Sequence, residues 1–127
     1  MTPRETVEAY YDALRGGDPL VPFFADREDV VKVGVRERLV GRDAVVRGLR
    51  SQTRATADWT VDSTDLSVAR VGPDAARFSD AVGLAWTNEE TGQRRRFETR
   101  WDGVLERRNG AWALVSLHVS APAELPS

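Results

Sequence analysis

The chain has 127 residues, of which 41% are hydrophobic and 30% are charged, so it can bury one core and its composition argues against disorder. It contains no cysteine, which excludes disulfides, thiol nucleophiles and thiolate zinc sites. Its net charge is −2, its basic residues are scattered, and no apolar run approaches the roughly 20 residues of a membrane helix, so we expect neither a nucleic-acid nor a membrane partner.

The N-terminal segment predicts a helix with well-defined ends. Thr2 can cap it, Pro3 fits its first position, and Glu5 completes a capping box with Thr2. The pair Gly16-Gly17 ends the helix, and apolar residues recur at helical spacing in between. A further short helical piece is predicted over residues 18–25.

The middle of the chain predicts one β segment and one helix before the hydrophobic pattern changes. Residues 30–35 read as a short β segment, and the run Gly41-Arg42-Asp43 begins a second helix. From Ala57 onward the apolar period changes from that of a helix to that of a strand. The strands and turns that follow from this alternation are, in chain order, a strand region over 57–70, a turn at 72–74, a strand over 75–87, a turn at 90–92, a strand over 94–107, a turn at 109–110 and a strand over 111–119.

Helices first and then a long antiparallel meander indicate an α+β fold. The strands carry apolar residues on both faces, so neither face of the sheet is simply a water-exposed surface. We therefore expect one face to cover the helices and a cavity, and the outer face to meet a second copy of the chain in a homodimer. No internal repeat is visible, which predicts a single domain over residues 1–121 and a flexible C-terminal tail over 122–127.

Two stretches of the sequence resemble a known superfamily. Residues 100–112, RWDGVLERRNGAW, lead into residues 115–120, VSLHVS, and together they resemble the closing hairpin of SnoaL-like proteins. The association domain of calmodulin-dependent kinases has a similar ending. Residues 41–45, GRDAV, are similar to a helix start of the same nuclear transport factor 2-like superfamily. The resemblance implies a cone-shaped fold, with N-terminal helices packed on a strongly curved, mainly antiparallel sheet that encloses a pocket.

The register of the last hairpin decides which side chains share a face, because a slip of one residue reverses every side chain. If the turn at 109–110 has two residues, Trp101 lies opposite His118. A three-residue turn instead places Arg100 opposite His118 and separates an apolar face from a polar one that also carries Asp102. We prefer the three-residue turn and expect its polar face to line the pocket.

Side chains on that polar face are the predicted catalytic residues. His118 can exchange a proton near neutral pH, and Asp102 can act as a base or orient His118. Arg100 can anchor an anionic group or stabilise an enolate, and Asp80 is a second candidate base across the preceding hairpin. The residues predicted to bind the substrate are Tyr10, Tyr11, Phe23, Trp59 and Trp86. Each also has a structural interpretation, such as an ion pair on one strand face or an aromatic core position.

Several kinds of chemistry have no signature in the sequence. It has one histidine and no His-Glu-x-x-His motif, so we expect no metal site. It also has no glycine-rich phosphate loop and no Gly-x-Ser-x-Gly elbow, so we expect no cofactor. Acidic residues near the N-terminus, in place of an apolar signal core, predict a cytoplasmic protein.

The superfamily includes isomerases, dehydratases, hydrolases, cyclases and non-catalytic association domains, so the fold leaves the function open. The first hypothesis is a cofactor-independent acid–base enzyme, such as an isomerase, dehydratase, cyclase or hydrolase, that acts on a small apolar organic substrate. The alternative is a non-catalytic dimeric module for ligand binding or association. A third is a carrier that binds a hydrophobic metabolite without changing it.

Overall fold

The architecture is described by a computed structural model for residues 1–122 and 124–126. Within these residues the helices are α1 (Pro3–Gly16) and α2 (Arg42–Ala55), with a single 3-10 turn at Val21–Phe23 between them. The strands are β1 (Val31–Val33), β2 (Arg38–Val40), β3 (Thr56–Ser63), β4 (Ser67–Gly72), β5 (Ala75–Asn88), β6 (Arg94–Arg108) and β7 (Ala111–Ser120). The predicted helical piece over 18–25 is thus limited to one 3-10 turn, and β2 is a strand that was not predicted.

Helix α1 begins and ends where its sequence predicts. The Thr2 hydroxyl accepts a hydrogen bond from the Glu5 backbone N–H at 3.1 Å, and the Glu5 carboxylate accepts one from the Thr2 N–H at 2.8 Å. This is the capping box. At the other end Gly17 is left-handed, with φ of 69°, and its N–H donates to the Leu14 carbonyl at 3.2 Å. The buried face of the helix includes Val7, Tyr10, Tyr11 and Leu14.

The strands form one sheet in the order β2-β1-β7-β6-β5-β3, and β4 pairs with the remaining length of β5. Strands β5, β6 and β7 are the predicted antiparallel meander. Strand β1 runs parallel to β7, so the early β segment extends the sheet on the side away from β5. This long-range pairing has no local signal in the sequence. Neither helix is long and apolar enough to cross a membrane.

The last hairpin has a register that differs from both predicted alternatives. Its turn is the two-residue one, with Arg108 paired to Ala111 and positive φ at Asn109 and Gly110, so the preferred three-residue turn is wrong. A β-bulge between Val104 and Leu105 then shifts the pairing by one residue. As a result Asp102, rather than Arg100 or Trp101, lies opposite His118.

The inner face of the sheet packs against α1 and forms the core. Because the bulge leaves Val115 unpaired, apolar residues on both sides of it point inward: Trp112 and Leu114 before it, and Leu117 and Val119 after it. Trp112 also lies between two guanidinium groups, with Arg70 at 5.1 Å and Arg107 at 5.6 Å from its ring.

The C-terminal segment continues along β6 after β7 ends. Glu124 forms an isolated bridge with Phe97, and the Leu125 N–H donates to the Arg96 carbonyl at 2.8 Å. The carboxylate of Glu124 also pairs with the Arg95 guanidinium. Two residues of the predicted tail over 122–127, Ala123 and Ser127, lie outside the described residues.

Candidate functional site

The three main predicted catalytic side chains lie on the outer face of the sheet. Arg100, Asp102 and His118 are all exposed, whereas Thr99 and Trp101, which alternate with them on β6, are only 3% and 4% exposed. The expectation that the polar face lines the cavity is wrong, because the helices cover the apolar face and the cavity forms beneath them. A catalytic role for these three side chains stays a prediction without support from their position.

Asp80, the fourth predicted catalytic residue, is buried away from the cavity. On β5 it pairs with Trp101 and not with Asp102, so the two carboxylates point to opposite faces. It accepts hydrogen bonds from the Tyr11 hydroxyl at 2.8 Å, from the Ser63 hydroxyl and from the Asp65 backbone N–H at 2.9 Å. Asp80 and Tyr11 therefore join α1 to β5 as a buried hydrogen-bonded pair.

We expect the substitution Tyr11→Phe to destabilise the fold by about 1.5–3 kcal/mol, because it removes one of the three donors of a buried carboxylate. The adjacent Tyr10→Phe is the matched control, since the Tyr10 hydroxyl forms no hydrogen bond with any described residue; we expect a change within about 0.5 kcal/mol. Urea unfolding of the two variants measures the difference. Equal losses would show that the Tyr11–Asp80 bond contributes no net stability.

Alkaline pH is expected to unfold the protein through its two tyrosines, both of which are buried. Burial raises the pKa of Tyr10 above the ordinary 10.0, and the negative charge of Glu37 adds to this. Burial also raises the pKa of Tyr11, followed by its hydrogen bond to Asp80. Because both pKa values are higher in the folded chain than in the unfolded one, the neutral tyrosines stabilise the fold. This contribution to the free energy of unfolding is fully present below about pH 10 and is lost as the pH rises through the folded pKa values. In a pH titration, tyrosinate absorbance should appear together with the loss of far-UV circular dichroism. If the tyrosines ionise at a lower pH, while the circular dichroism is still that of the folded protein, the prediction is wrong.

A cavity of about 320 Å³ lies between the inner face of the sheet, the two helices and the loop that joins β1 to β2. Most of its wall is apolar and aromatic. Trp59 and Trp86 stack with ring centroids 4.7 Å apart, and Phe97 continues the stack 5.2 Å beyond Trp86. The remaining apolar wall is formed mainly by Leu14, Val35, Leu84, Trp101, Leu117 and Val119.

The predicted substrate-binding residues divide into two groups. Tyr10, Trp59 and Trp86 line the cavity. Tyr11 and Phe23 do not: Tyr11 bonds to Asp80, and the ring of Phe23 packs edge-on against Tyr10 at 5.6 Å.

Trp59 is held in the wall by an irregularity of β3. The pairing with β5 is interrupted between Ala57 and Thr60, and Asp58 within this gap has a left-handed backbone, with φ of 54°. The Asp58 carbonyl accepts a hydrogen bond from the Arg94 guanidinium, and the indole N–H of Trp59 donates to the Thr56 hydroxyl at 2.8 Å. These two hydrogen bonds hold the strained backbone at Asp58 in place, and so they fix the direction in which the Trp59 side chain points.

The polar end of the cavity contains the only lysine of the chain. Lys32 is the middle residue of β1 and is 5% exposed. Its ammonium donates to the Glu37 carboxylate and, at 3.3 Å, to the Gln52 side-chain carbonyl. Glu37 comes from the loop between β1 and β2, Gln52 comes from α2, and all three line the cavity.

This polar group was not predicted from the sequence. Its local signal was a single charge inside the apolar run Val30-Val31-Lys32-Val33, where a strand position that faces the core would normally be apolar. The partners of Lys32 come from a loop and a helix, so the sequence spacing did not connect them. Arg36 lies at the cavity mouth, 3.7 Å from the Glu124 carboxylate.

The Tyr10 hydroxyl also belongs to the polar end, because it is close enough to Glu37 for that negative charge to raise the pKa of Tyr10. The hydroxyl has no hydrogen-bond partner among the described residues. Since every fully buried polar side-chain atom of those residues does have a partner, this hydroxyl is not fully buried and must touch accessible space. The cavity is the space that Tyr10 lines. The polar end thus offers an ammonium, a carboxylate and a free hydroxyl beside aromatic walls, which suits proton transfer.

Within residues 1–122 and 124–126, no three His, Asp or Glu side chains cluster closely enough to hold a metal ion.

Known proteins with a similar sequence pattern or structure share this fold. Residues 4–124 match the family model of the SnoaL-like domain. A nuclear transport factor 2-like superfamily protein from Salmonella enterica is 19% identical, with a TM-score of 0.80 over 94% of this chain and 87% of that one. A ketosteroid isomerase-like protein from Erwinia carotovora is also 19% identical, with a TM-score of 0.76 over 94% of this chain and 93% of that one.

A hexachlorocyclohexane dehydrochlorinase is 17% identical, with a TM-score of 0.75 over 98% of this chain and 88% of that one. Identities this low establish a shared fold and no more. No curated protein matches the chain.

The family match spans nearly the whole chain, and the structural similarities support it independently. Both confirm the resemblance that the closing hairpin and residues 41–45 indicate. The chain therefore belongs to the SnoaL-like domain family and has the cone-shaped fold of the nuclear transport factor 2-like superfamily.

Proposed function

We propose that this protein binds a small, largely apolar organic molecule in its cavity and catalyses a proton transfer on it without a cofactor. One observation carries the proposal: the single lysine of the chain is buried at one end of an aromatic cavity, in contact with a carboxylate. Burying the Lys32 ammonium costs several kcal/mol of desolvation free energy, a cost that an apolar residue at this position would avoid.

Lys32 and Glu37 have hydrogen-bonding capacity left that a ligand can use. Lys32 has three N–H groups and two acceptors among the described residues, so one N–H is left for a ligand. Glu37 uses one carboxylate oxygen for Lys32 and has the other available, and its side chain is about one-third exposed. Glu37 is the proposed proton acceptor, while Lys32 and the Tyr10 hydroxyl engage the substrate's oxygen. In a mostly apolar cavity the electrostatic interactions of these polar groups with a ligand are stronger than they would be in water.

The relatives in fold are consistent with this activity. They include a ketosteroid isomerase-like protein and a hexachlorocyclohexane dehydrochlorinase, and the name of the second specifies a small apolar substrate. The cavity volume of about 320 Å³ fits a substrate of one or two rings.

Proton exchange tests the proposal directly. A panel of small cyclic ketones in deuterated buffer is incubated with the protein, and the loss of the proton next to the carbonyl is followed by NMR. Native mass spectrometry of the freshly purified protein reports whether a small molecule stays bound. If no ketone exchanges faster than in buffer and none binds, the proposed activity is wrong.

A second candidate function, dimeric association, is favoured by the outer face of the sheet. Val104 and Val40 are 42% and 50% exposed, and the register places them in one row across the strands with Ser116 and Val31 between them. We propose that this valine row packs against a second copy of the chain. Sedimentation of the wild-type protein and of Val104→Asp tests it: a dimer that Val104→Asp dissociates supports the contact, and a wild-type monomer at tens of micromolar contradicts it.

A further inference from the structure

We propose that Lys32 is a nucleophile that forms an imine with a small aldehyde or ketone in the cavity. The inference rests on the proposed function in one respect, that the cavity is the ligand site. It goes further by assigning a covalent step to one atom, Lys32 Nζ, and by naming the substrate class. That class is a carbonyl group attached to a flat apolar body that fits a cavity of about 320 Å³.

Lys32 differs in residue type from every other Lys or Arg position of the chain. Of the 18 basic residues in the chain, 17 are arginine, so this protein uses arginine almost everywhere that a positive charge is required. Arginine forms ion pairs at least as well as lysine, but it stays protonated and does not act as an amine nucleophile. The exception stands in the cavity, where only the lysine side chain provides an amine.

The surroundings of Nζ supply what an amine nucleophile requires. The side chain of Lys32 is only 6% exposed, and the cavity that it lines has stacked aromatic walls. The attacking species is the neutral amine, and the Glu37 carboxylate that accepts the Nζ hydrogen bond is in position to take the proton. An apolar ligand that expels water from the cavity raises the desolvation cost of the charged pair, and this favours proton transfer from Nζ to the carboxylate.

The step balances without a further reagent. Glu37 takes one proton from the Lys32 ammonium, and the nitrogen lone pair forms a bond to the carbonyl carbon while the C=O π pair moves to oxygen. A proton passes from nitrogen to that oxygen, and the hydroxyl of Tyr10, which lines the same cavity, is the proposed hydrogen-bond donor to it. Protonated Glu37 then gives its proton to the hydroxyl, which leaves as water, and the products are an iminium ion and the Glu37 carboxylate. Nothing is oxidised or reduced.

The single lysine makes the test unusually direct. Wild-type protein is incubated at neutral pH with benzaldehyde, cinnamaldehyde or 2-naphthaldehyde and sodium cyanoborohydride, which reduces an imine to a stable amine. Intact mass and peptide mapping then compare labelling at Lys32 with labelling at the N-terminal amine of the same molecule. Benzyl alcohol, which cannot form an imine, is titrated separately and followed by tryptophan fluorescence, because Trp59, Trp86 and Trp101 line the cavity.

Three variants serve as controls. R50K adds an exposed lysine on α2, where Arg50 forms no ion pair with the described residues, and so reports the rate of a surface amine. K32R removes the proposed nucleophile and keeps the positive charge, and E37Q removes the proton acceptor. Thermal melts show that each variant is folded, and the comparison of wild type with R50K does not depend on the other two variants.

We expect Lys32 to be labelled at least about tenfold faster than the added lysine of R50K, and E37Q to slow that labelling about 10²-fold. The imine is wrong if no aldehyde labels Lys32 faster than the surface amine while benzyl alcohol still quenches the fluorescence, and the cavity then remains the ligand site on which the proposed function rests. If benzyl alcohol does not bind and Lys32 is not labelled, the imine is wrong and so is the assignment of the cavity as the ligand site.

Discussion

Glu37→Gln is expected to slow proton exchange on a bound ketone by about 10²-fold or more, because an amide does not accept the substrate proton. Lys32→Met should have an effect of similar size, since it removes the ammonium that orients Glu37 and leaves that carboxylate without its partner. The measurement is the rate of deuterium incorporation at saturating ketone. It should be accompanied by the binding constant, so that a loss of affinity is separated from a loss of rate.

The matched controls carry the same chemical change at exposed positions. Glu98→Gln alters a carboxylate on the outer face of β6, and Arg50→Met removes a positive charge from the exposed side of α2. Both should keep the wild-type exchange rate within about twofold. If Glu37→Gln retains full activity, Glu37 is not the base. If the activity is instead lost in His118→Ala, the residue predicted from sequence is the correct one.

Gly103→Ala is expected to destabilise the fold by about 3 kcal/mol, the largest effect of a single methyl group that we predict. Gly103 lies on the inner face of β6, where an added Cβ would be 2.5 Å from the Ser116 carbonyl oxygen and 2.6 Å from the ring of Phe78. The ring can shift only within a packed core, and the carbonyl belongs to the neighbouring strand, so the backbone of the sheet must move. Urea unfolding monitored by circular dichroism measures the loss.

Gly83→Ala is the matched control for this substitution because Gly83 occupies the adjacent strand, β5. An added Cβ there would have its nearest neighbours at 3.6 Å, from Asp62, and at 3.8 Å, from Glu98, which are ordinary contacts. We expect a change within about 1 kcal/mol, with stabilisation allowed because alanine restricts the unfolded chain. A similar loss in both variants would indicate a general cost of alanine in this sheet and not a steric clash at Gly103.

Much of the fold could be predicted because its signals are local. The capping box of Thr2 and Glu5, the glycine stop of α1 and the alternation along β5 and β6 each depend on residues close together in the chain. Strand β2 was missed because three residues, Arg38–Val40, are too few to show a period. The register of the last hairpin was wrong for two reasons: the three-residue turn was preferred over the two-residue turn that Asn109 and Gly110 form, and the bulge after Val104 has no sequence signature.

The candidate site shows the same division. Tyr10, Trp59 and Trp86 could be chosen from sequence because large aromatic residues in a cone fold tend to be inside, and all three line the cavity. The polar group was assigned to Arg100, Asp102 and His118 because they are neighbours along two adjacent strands. Polar residues that share a strand face are more often found at the solvent side, and these three are exposed.

By itself the sequence determined the family, both ends of α1, the start of α2 and the alternating strands, because these depend on contacts within a few residues or on short sequence motifs. Only the tertiary structure decided which face of the sheet meets the helices, and therefore which side chains enclose a cavity. Lys32, Glu37 and Gln52 lie on a strand, a loop and a helix, and no local pattern relates them. They meet because β1 pairs with β7, at the opposite end of the chain, and α2 packs beside it.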